Sequence, residues 1–316
     1  MGDSMYNEEI KRKFLEEFDP KRSRGNGPIT YLQKIAPYEE MLHKDFAEMD
    51  EIEAKGAIEY AKLKEASVLR QALSVMRRYT NWCKENSVYT NIPNGVANLR
   101  SKDLDISDIL ADSVIKDENE FFTTLRSIYS FDDGVADVPY LALAWAGLRK
   151  NEIIELKDSE IDLQNRVIIN HDGTIMIPYF SDMVHDVLVR YVECKTAMRG
   201  HHAGVKHVIK DMSVDTFLKK MLNPGSKDFG TNYKTTAIET HIRDEYKKLS
   251  NPPSKQPGFI NVWNSGRYYR LYRIEQEGVD VHSPSNKELV ESVFRYEKKY
   301  HDAIRMYDSY KKAFNL

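Results

Sequence analysis

Apolar positions recur at helical spacing along most of this chain. The clearest stripe lies between residues 67 and 86, where Ser67 can cap a helix and large apolar side chains fall three or four apart: Leu69, Leu73, Met76, Tyr79 and Trp82-Cys83. Other amphipathic stretches predict two helices in 40–63 and one each in 107–114, 118–130, 181–197, 214–222, 235–250, 263–277 and 286–313. Residues 138–148 are almost entirely apolar, which predicts a buried helix ending near Gly147.

The pattern changes between residues 160 and 177. Two short runs of β-branched and apolar residues, 166–169 and 175–177, flank His171 and the pair Asp172-Gly173. Asp-Gly between such runs is a strong signal for a type I′ turn, so we expect a β-hairpin here. The predicted fold is mainly α, with a small helical N-terminal domain and a larger, mostly helical C-terminal domain that carries one small antiparallel sheet.

A linker is predicted near residues 91–101, which contain Pro93 and Gly95 and show no helical period. The balance of basic and acidic residues also changes near this segment. Residues 61–102 carry eight Lys or Arg and two Glu, whereas residues 103–137 carry ten Asp or Glu and two basic residues. Because such a shift often marks a boundary, we expect domains at residues 1–98 and 99–316.

Composition narrows the class of protein. The chain has 316 residues, 41% of them hydrophobic and 30% charged, as in ordinary globular proteins. No apolar run approaches the roughly 18–20 residues that span a bilayer, and the start of the chain lacks the apolar stretch of a signal peptide. Two cysteines, Cys83 and Cys194, give neither a disulfide framework nor a zinc motif. We therefore expect a cytoplasmic protein without membrane contact, metal or cofactor.

A net charge of −3 excludes a molecule that is basic overall, so any contact with nucleic acid must come from local patches. One candidate patch lies on the predicted helix 67–86, opposite its apolar stripe. It comprises Arg70, Ser74, Arg77, Arg78, Asn81 and Lys84. A charged helix face is more often simply solvated, and the stripe alone does not decide between solvent and DNA.

Three segments together resemble the motifs of tyrosine recombinases, the phage integrase family. Residues 141–161, LALAWAGLRKNEIIELKDSEI, are similar to the family's first arginine motif. Residues 264–268, NSGRY, fall where the family has H-x-L-R-H, and residues 300–310, YHDAIRMYDSY, resemble its final histidine and tyrosine. Residues 69–94 are similar to the last helix and exit of the family's core-binding domain. The resemblance covers about residues 28–315.

The resemblance implies a specific chemistry. In the family, a tyrosine attacks a DNA phosphate, two arginines hold the phosphate oxygens with planar forked donors, and a hairpin lysine protonates the leaving oxygen. Matched by position, this chain keeps Arg149, Arg267, His301 and Tyr310. Asn264 and Tyr268 replace the two histidines of the second motif. The hairpin, residues 166–178, contains no lysine, and neither Arg166, His171 nor the preceding Lys157 is an obvious general acid.

The pattern of kept and lost residues indicates a scaffold that holds DNA without cutting it. The opening MYNEEIKRKFLEEFDPKR and the length further resemble one such family, the lytic-cycle master repressors of SPβ-like Bacillus prophages (MrpR, or YopR). The resemblance implies a sequence-specific transcriptional repressor that maintains lysogeny. Its partners would be double-stranded operator DNA and a phage regulatory or antirepressor protein. With six residues after Tyr310, too few for an exchanged helix, we expect a monomer without DNA.

The implied site is therefore a binding site, with Arg149, Arg267, His301 and Tyr310 as vestigial catalytic candidates. The expected DNA-binding residues are Arg70, Ser74, Arg77, Arg78, Asn81, Lys84, Arg149, Lys150, Asn264, Arg267, Tyr268 and Arg270. The main alternative is an active site-specific recombinase with Tyr310 as nucleophile and replacement groups for the missing ones. A third hypothesis is an accessory DNA protein.

Several of these residues also have purely structural interpretations. Arg149 could compensate the dipole at the end of the apolar helix, and Arg270 could pair with Glu277. Tyr307 and Tyr310 could be core aromatics. A cluster of histidines, at positions 201, 202 and 207, fits no standard metal spacing and indicates a flexible basic loop.

Overall fold

A computed structural model describes residues 4–18, 27–63, 66–100, 103–129, 137–170, 172–173, 175–177, 179–199, 206–223, 225–228, 230–232 and 234–316. Its contacts divide the chain into two compact units, Met1–Leu110 and Ala111–Leu316. The division falls within a short helix, α5 (Ser107–Ser113).

Among its described residues, the first unit contains helices and no β-strand. Its helices are α1 (Glu8–Phe18), α2 (Gly27–Leu42), α3 (Glu51–Tyr60) and α4 (Ala66–Glu85). Asp50 begins α3 with a capping box, because its carboxylate accepts from the Glu53 N–H while the Glu53 carboxylate accepts from the Asp50 N–H. Helix α4 buries its predicted apolar side, and Leu69, Leu73 and Met76 lie in the core.

A buried polar cluster joins α1, α2 and α4. Lys11, Glu39, Asp45 and Tyr79 are all fully buried. The Lys11 ammonium is 2.6 Å from Glu39 Oε1, and the Tyr79 hydroxyl donates to Asp45 Oδ1 at 3.0 Å. Burial raises the pKa of Glu39 to about 7. A buried charge is tolerated only when it is paired, so this cluster fixes how the three helices pack.

The segment after α4, residues 95–99, is fastened to other parts of the first unit by close contacts. Arg77 donates through Nε to the Val96 carbonyl at 3.2 Å and through Nη2 to the Leu99 carbonyl. A Cβ on Gly95 would lie 2.2 Å from the Asp50 carbonyl oxygen, so only glycine permits this approach. The expected domain boundary at 98/99 lies inside this fastened segment.

The second unit is built around one central helix. Its helices are α6 (Glu118–Ile128), α7 (Asp137–Ala146), α8 (Lys150–Glu155), α9 (Asp182–Glu193), α10 (Thr235–Lys248), α11 (Phe259–Gln276), α12 (Lys287–Val293) and α13 (Tyr300–Phe314). Every residue of α7 is buried, as its apolar sequence predicted. Trp145 of α7 stacks on Phe121 at 4.6 Å between ring centroids. A Cβ on Gly266 would lie 2.1 Å from the Trp145 carbonyl oxygen, which shows how closely α11 approaches α7.

Two three-stranded antiparallel sheets complete the described part of this unit. The first contains β1 (Ile161–Asp162), β2 (Val167–Ile169) and β3 (Ile175–Ile177), with Ile169 opposite Ile175 as a hairpin requires. The second contains β4 (Thr196–Arg199), β5 (Lys206–Lys210) and β6 (Met221–Leu222). Only one sheet was predicted from the sequence, and the second one is formed by residues outside the predicted hairpin. In the described parts of the chain, no helix has both the length and the apolar character needed to cross a membrane.

One helix prediction was wrong, and another was wrong in part. Residues 214–222 are not helical, because tertiary hydrogen bonds replace helical ones: the Phe217 N–H donates to the Leu156 carbonyl at 2.6 Å, Thr216 bridges to Lys157, and β6 pairs with β5. The helix predicted over 286–313 is interrupted between α12 and α13. Arg295 and Tyr296 there have positive φ angles of 52° and 57°, which a helix cannot accommodate.

Candidate nucleic-acid interface

Helix α4 presents a polar stripe on its exposed side. Its members, called the α4 stripe below, are Arg70, Ser74, Arg78, Asn81 and Lys84, and all five are exposed. The Arg78 guanidinium lies over the Phe18 ring at 5.0 Å, which limits its freedom while leaving its outer edge accessible. Arg77 is not part of the stripe, since it turns inward to hold the carbonyls of Val96 and Leu99.

In the second unit, the end of α7 positions Arg149. Gly147, with φ of 110°, terminates α7 and lets the chain turn into α8. Arg149 precedes α8, and its N–H donates to Glu152 Oε2 at 2.7 Å. Its side chain is 43% exposed. Nη2 donates to the Arg295 carbonyl at 2.8 Å, and Nε lies 2.9 Å from Glu297 Oε1.

Arg267 projects from the middle of α11 and is 1% exposed. Its guanidinium carbon lies 3.4 Å from the centroid of the Trp263 ring, one turn earlier on the same helix. Nη2 donates to Asn264 Oδ1, and Nη1 lies 3.4 Å from Glu297 Oε2. Burial lowers the pKa of Arg267 to about 10, so the side chain still carries its charge at neutral pH.

The two arginines therefore converge on one carboxylate. Glu297 offers one oxygen to Arg149 and the other to Arg267. A second carboxylate, Glu152, accepts from Arg295 Nη2 at 2.7 Å, and Arg295 Nη1 also donates to the Met176 carbonyl at 3.1 Å. The name arginine–glutamate site is used below for Arg149, Arg267, Arg295, Glu152 and Glu297.

The structure places three other expected DNA ligands away from open solvent or in ion pairs. Lys150 lies 2.5 Å from the Glu239 carboxylate. Tyr268 is 1% exposed, with its ring 5.6 Å from that of Tyr310. Arg270 donates to the carbonyls of Trp145 and Ala146, where burial lowers its pKa to about 9. Arg270, not Arg149, is the cation that compensates the C-terminal end of α7.

Tyr310 lies in the core of the second unit. It is fully buried, its hydroxyl donates to the Lys116 carbonyl, and its ring packs on Tyr307 and Phe314. Burial raises the pKa of the Tyr310 phenol far above its ordinary value. His301 is exposed, with its ring edge-on to Tyr300 at 5.3 Å. The hydroxyl of Tyr310 therefore bonds to a backbone carbonyl in place of facing the arginine pair.

The remaining candidates for proton transfer either form ion pairs with other residues or lie outside the described residues. Lys157 lies 3.5 Å from Asp215, and Arg166 pairs with Asp182 at the start of α9. His171, His201 and His202 lie outside the described residues, as does the side chain of His207. Within the described residues no group of three or more His, Cys, Asp or Glu side chains could hold a metal ion.

Three residues that shape this site were not predicted from the sequence: Trp263, Arg295 and Glu297. Trp263 precedes Arg267 by four residues on a predicted helix, so a stacking contact could have been anticipated from spacing. Arg295 and Glu297 lie in the interruption between α12 and α13, which the helical pattern concealed. No local signal marks them.

The described elements form a mainly α architecture of two units, the first of which contains helices and no strand, while the second carries two small antiparallel sheets. Residues 5–85 match the family model described as MrpR, N-terminal core-binding domain. The matched residues include helices α1 to α4 of the first unit.

Solved structures similar to this chain include a recombinase and a transposon integrase. The XerA recombinase has 15% identity and a TM-score of 0.39, with 98% of this chain and 96% of that chain covered. The Tn1549 transposon integrase, in complex with circular intermediate DNA, has 14% identity and a TM-score of 0.38, with 96% and 95% covered. No curated protein matches the chain significantly.

Proposed function

We propose that this chain is a sequence-specific DNA-binding transcriptional repressor that maintains the lysogeny of a prophage, on a tyrosine recombinase scaffold that no longer recombines DNA. The observation that carries this proposal is the position of Tyr310. The residue matched to the family's nucleophile is fully buried and donates its hydroxyl to the Lys116 carbonyl. The MrpR-type domain over residues 5–85 supports the same assignment.

DNA binding is supported by the α4 stripe. Three of its members, Arg70, Arg78 and Lys84, are exposed cations on one helix face, interleaved with Ser74 and Asn81. Cations neutralise backbone phosphates, while short polar side chains can reach base edges. The stripe therefore has the composition needed both to hold a duplex and to distinguish its sequence.

In contrast, the described residues do not provide an accessible nucleophile and a general acid for strand cleavage. A tyrosine nucleophile must lose its proton to attack phosphorus, and burial raises the pKa of Tyr310. The described strands β2 and β3 carry no lysine to protonate a leaving oxygen. A placed general acid typically contributes about 10²–10⁴-fold, so its loss alone would slow cleavage severely.

An active recombinase remains the second candidate because of one observation. Arg149 and Arg267 converge on the two oxygens of one carboxylate at 2.9 and 3.4 Å, as a phosphate-binding pair requires. Cleavage would further need α13 to shift far enough to release Tyr310 from the core.

The experiment uses the full chain and fragments of prophage-carrying genomic DNA. Fragments retained by the protein are sequenced, and the most enriched one is tested in parallel on a native gel and on a denaturing gel. We expect a salt-sensitive shift on the native gel and no protein–DNA adduct on the denaturing gel. Failure to enrich any fragment would contradict the repressor proposal, and an adduct would favour the recombinase.

A further inference from the structure

The arginine–glutamate site carries an excess of positive charge that its carboxylates do not balance. Three guanidinium groups, those of Arg149, Arg267 and Arg295, share two carboxylates, Glu152 and Glu297. The Arg267 Nε is buried and has no hydrogen-bond partner among the described residues. An unpaired buried donor is costly, and the site therefore favours an additional acceptor.

The two carboxylates differ in how firmly they are held. Glu152 is 19% exposed, pairs with Arg295 and also accepts from the Arg149 N–H, which begins α8. Glu297 is 37% exposed, and its only described partners are the guanidinium groups of Arg149 and Arg267. Glu297 also follows directly on the two positive-φ residues between α12 and α13, outside any helix. Of the two, Glu297 is the carboxylate that can move away without disturbing a helix.

The arginines, in contrast, keep their places without Glu297. Arg267 is stacked on Trp263 and bonded to Asn264, and Arg149 is bonded to the Arg295 carbonyl. If Glu297 left, Nε of Arg149 and Nη1 of Arg267 would face the vacated position. Such donors suit a tetrahedral oxyanion as well as a carboxylate.

We propose that Glu297 is an internal anion that occupies the phosphate position between Arg149 and Arg267 in the free protein, and that an oxyanion binds there only by displacing it. The oxyanion in question is a backbone phosphate of DNA, and this identification rests on the proposed function. Glu297 thereby weakens the hold of this site on any phosphate and leaves the choice of DNA to the other contacts.

The test uses the full chain, Glu297→Gln and a control, Glu288→Gln. Glu288 lies exposed on α12 and is not a member of the arginine–glutamate site, so its substitution removes the same charge from the same region. Sodium sulfate is the probe, titrated against sodium chloride at matched ionic strength, with the melting temperature as readout. A half-exposed ion pair contributes up to about 1 kcal/mol, so Glu297→Gln should bind sulfate roughly fivefold more tightly than the parent chain.

Glu288→Gln should bind sulfate like the parent chain, and Arg149→Ala added to Glu297→Gln should abolish the gain. Glu297→Asp retains the charge but is too short to bridge both arginines, so we expect an intermediate gain. Equal sulfate affinity in the parent chain and in both Glu297 variants, with native circular dichroism, would overturn the proposal.

A second arm separates this proposal from the proposed function. On the enriched genomic fragment, at constant salt, Glu297→Gln should shift DNA at a lower concentration than Glu288→Gln. A gain for sulfate without a gain for DNA would confirm the internal anion and reject DNA phosphate as its competitor. No DNA binding by any variant, with the sulfate gain intact, would count against the proposed function alone.

Discussion

Replacing Tyr310 by phenylalanine separates a structural tyrosine from a catalytic one. The substitution removes the hydroxyl that donates to the Lys116 carbonyl and leaves the ring among Tyr307, Phe314 and Tyr268. One hydrogen bond contributes about 0.5–1.5 kcal/mol net. For a domain of about 200 residues this corresponds to a fall in Tm of roughly 1–6 °C. We expect DNA binding and repression to persist, because the apolar packing is preserved.

The assay combines thermal melting, a mobility shift on the enriched fragment and a repression reporter. Tyr310→Ala is the contrasting variant, since removing a buried aromatic ring costs about 3–5 kcal/mol and should lower Tm far more. Tyr296→Phe is the matched control, because Tyr296 is 63% exposed and its hydroxyl has no described partner in the core. A folded Tyr310→Phe protein that binds DNA but no longer represses, or one whose Tm is unchanged, would refute the reasoning.

Three further predictions follow from the first unit and from assembly. Replacing Arg78 and Lys84 by alanine should reduce the slope of log affinity against log salt by about 0.9 for each lost phosphate contact. Arg77→Ala should instead lower Tm, because Arg77 holds backbone carbonyls. Unchanged slopes in salt titrations would argue against DNA binding by the α4 stripe. Because the pKa of Glu39 is raised on folding, the contribution of Glu39 to stability is full below the pKa it has in the unfolded chain and is lost as pH rises through about 7. Glu39→Gln should therefore flatten the profile of Tm against pH between pH 5 and 8. Lys11→Met should lower the free energy of unfolding by about 3–5 kcal/mol, because it leaves the buried carboxylate without its partner. Light scattering at micromolar concentration without DNA should give a monomer, and a dimer would refute that expectation.

Elements whose stabilisation is local were predictable from the sequence. Helix α4 was predicted over 67–86 and is observed at Ala66–Glu85, because its apolar stripe and its burial share one period. The apolar run that became α7 is likewise buried along its whole length. The hairpin followed from β-branched runs on both sides of Asp172-Gly173.

Features that depend on distant partners were not predictable. Residues 214–222 have helical spacing, yet hydrogen bonds to Leu156 and Lys157, far away in sequence, override it. The inward turn of Arg77 depends on where the chain passes after α4. Arg270 was expected to bind DNA. It lies one turn beyond Gly266, where α11 approaches the end of α7, and it donates to the carbonyls of Trp145 and Ala146. In each case the side chain has the chemistry of a surface residue, and only the tertiary position decides its role.

The most direct measurement of the central claim is a denaturing gel of the full chain, incubated with its enriched DNA fragment carrying a nick beside each candidate phosphate. A nick allows the cleaved strand to diffuse away, so any covalent phosphotyrosine would accumulate. Because the Tyr310 hydroxyl is buried and Glu297 occupies the arginine pair, we predict a complete shift on the native gel and only free protein and free DNA on the denaturing gel. A covalent band that disappears with Tyr310→Phe would contradict the account.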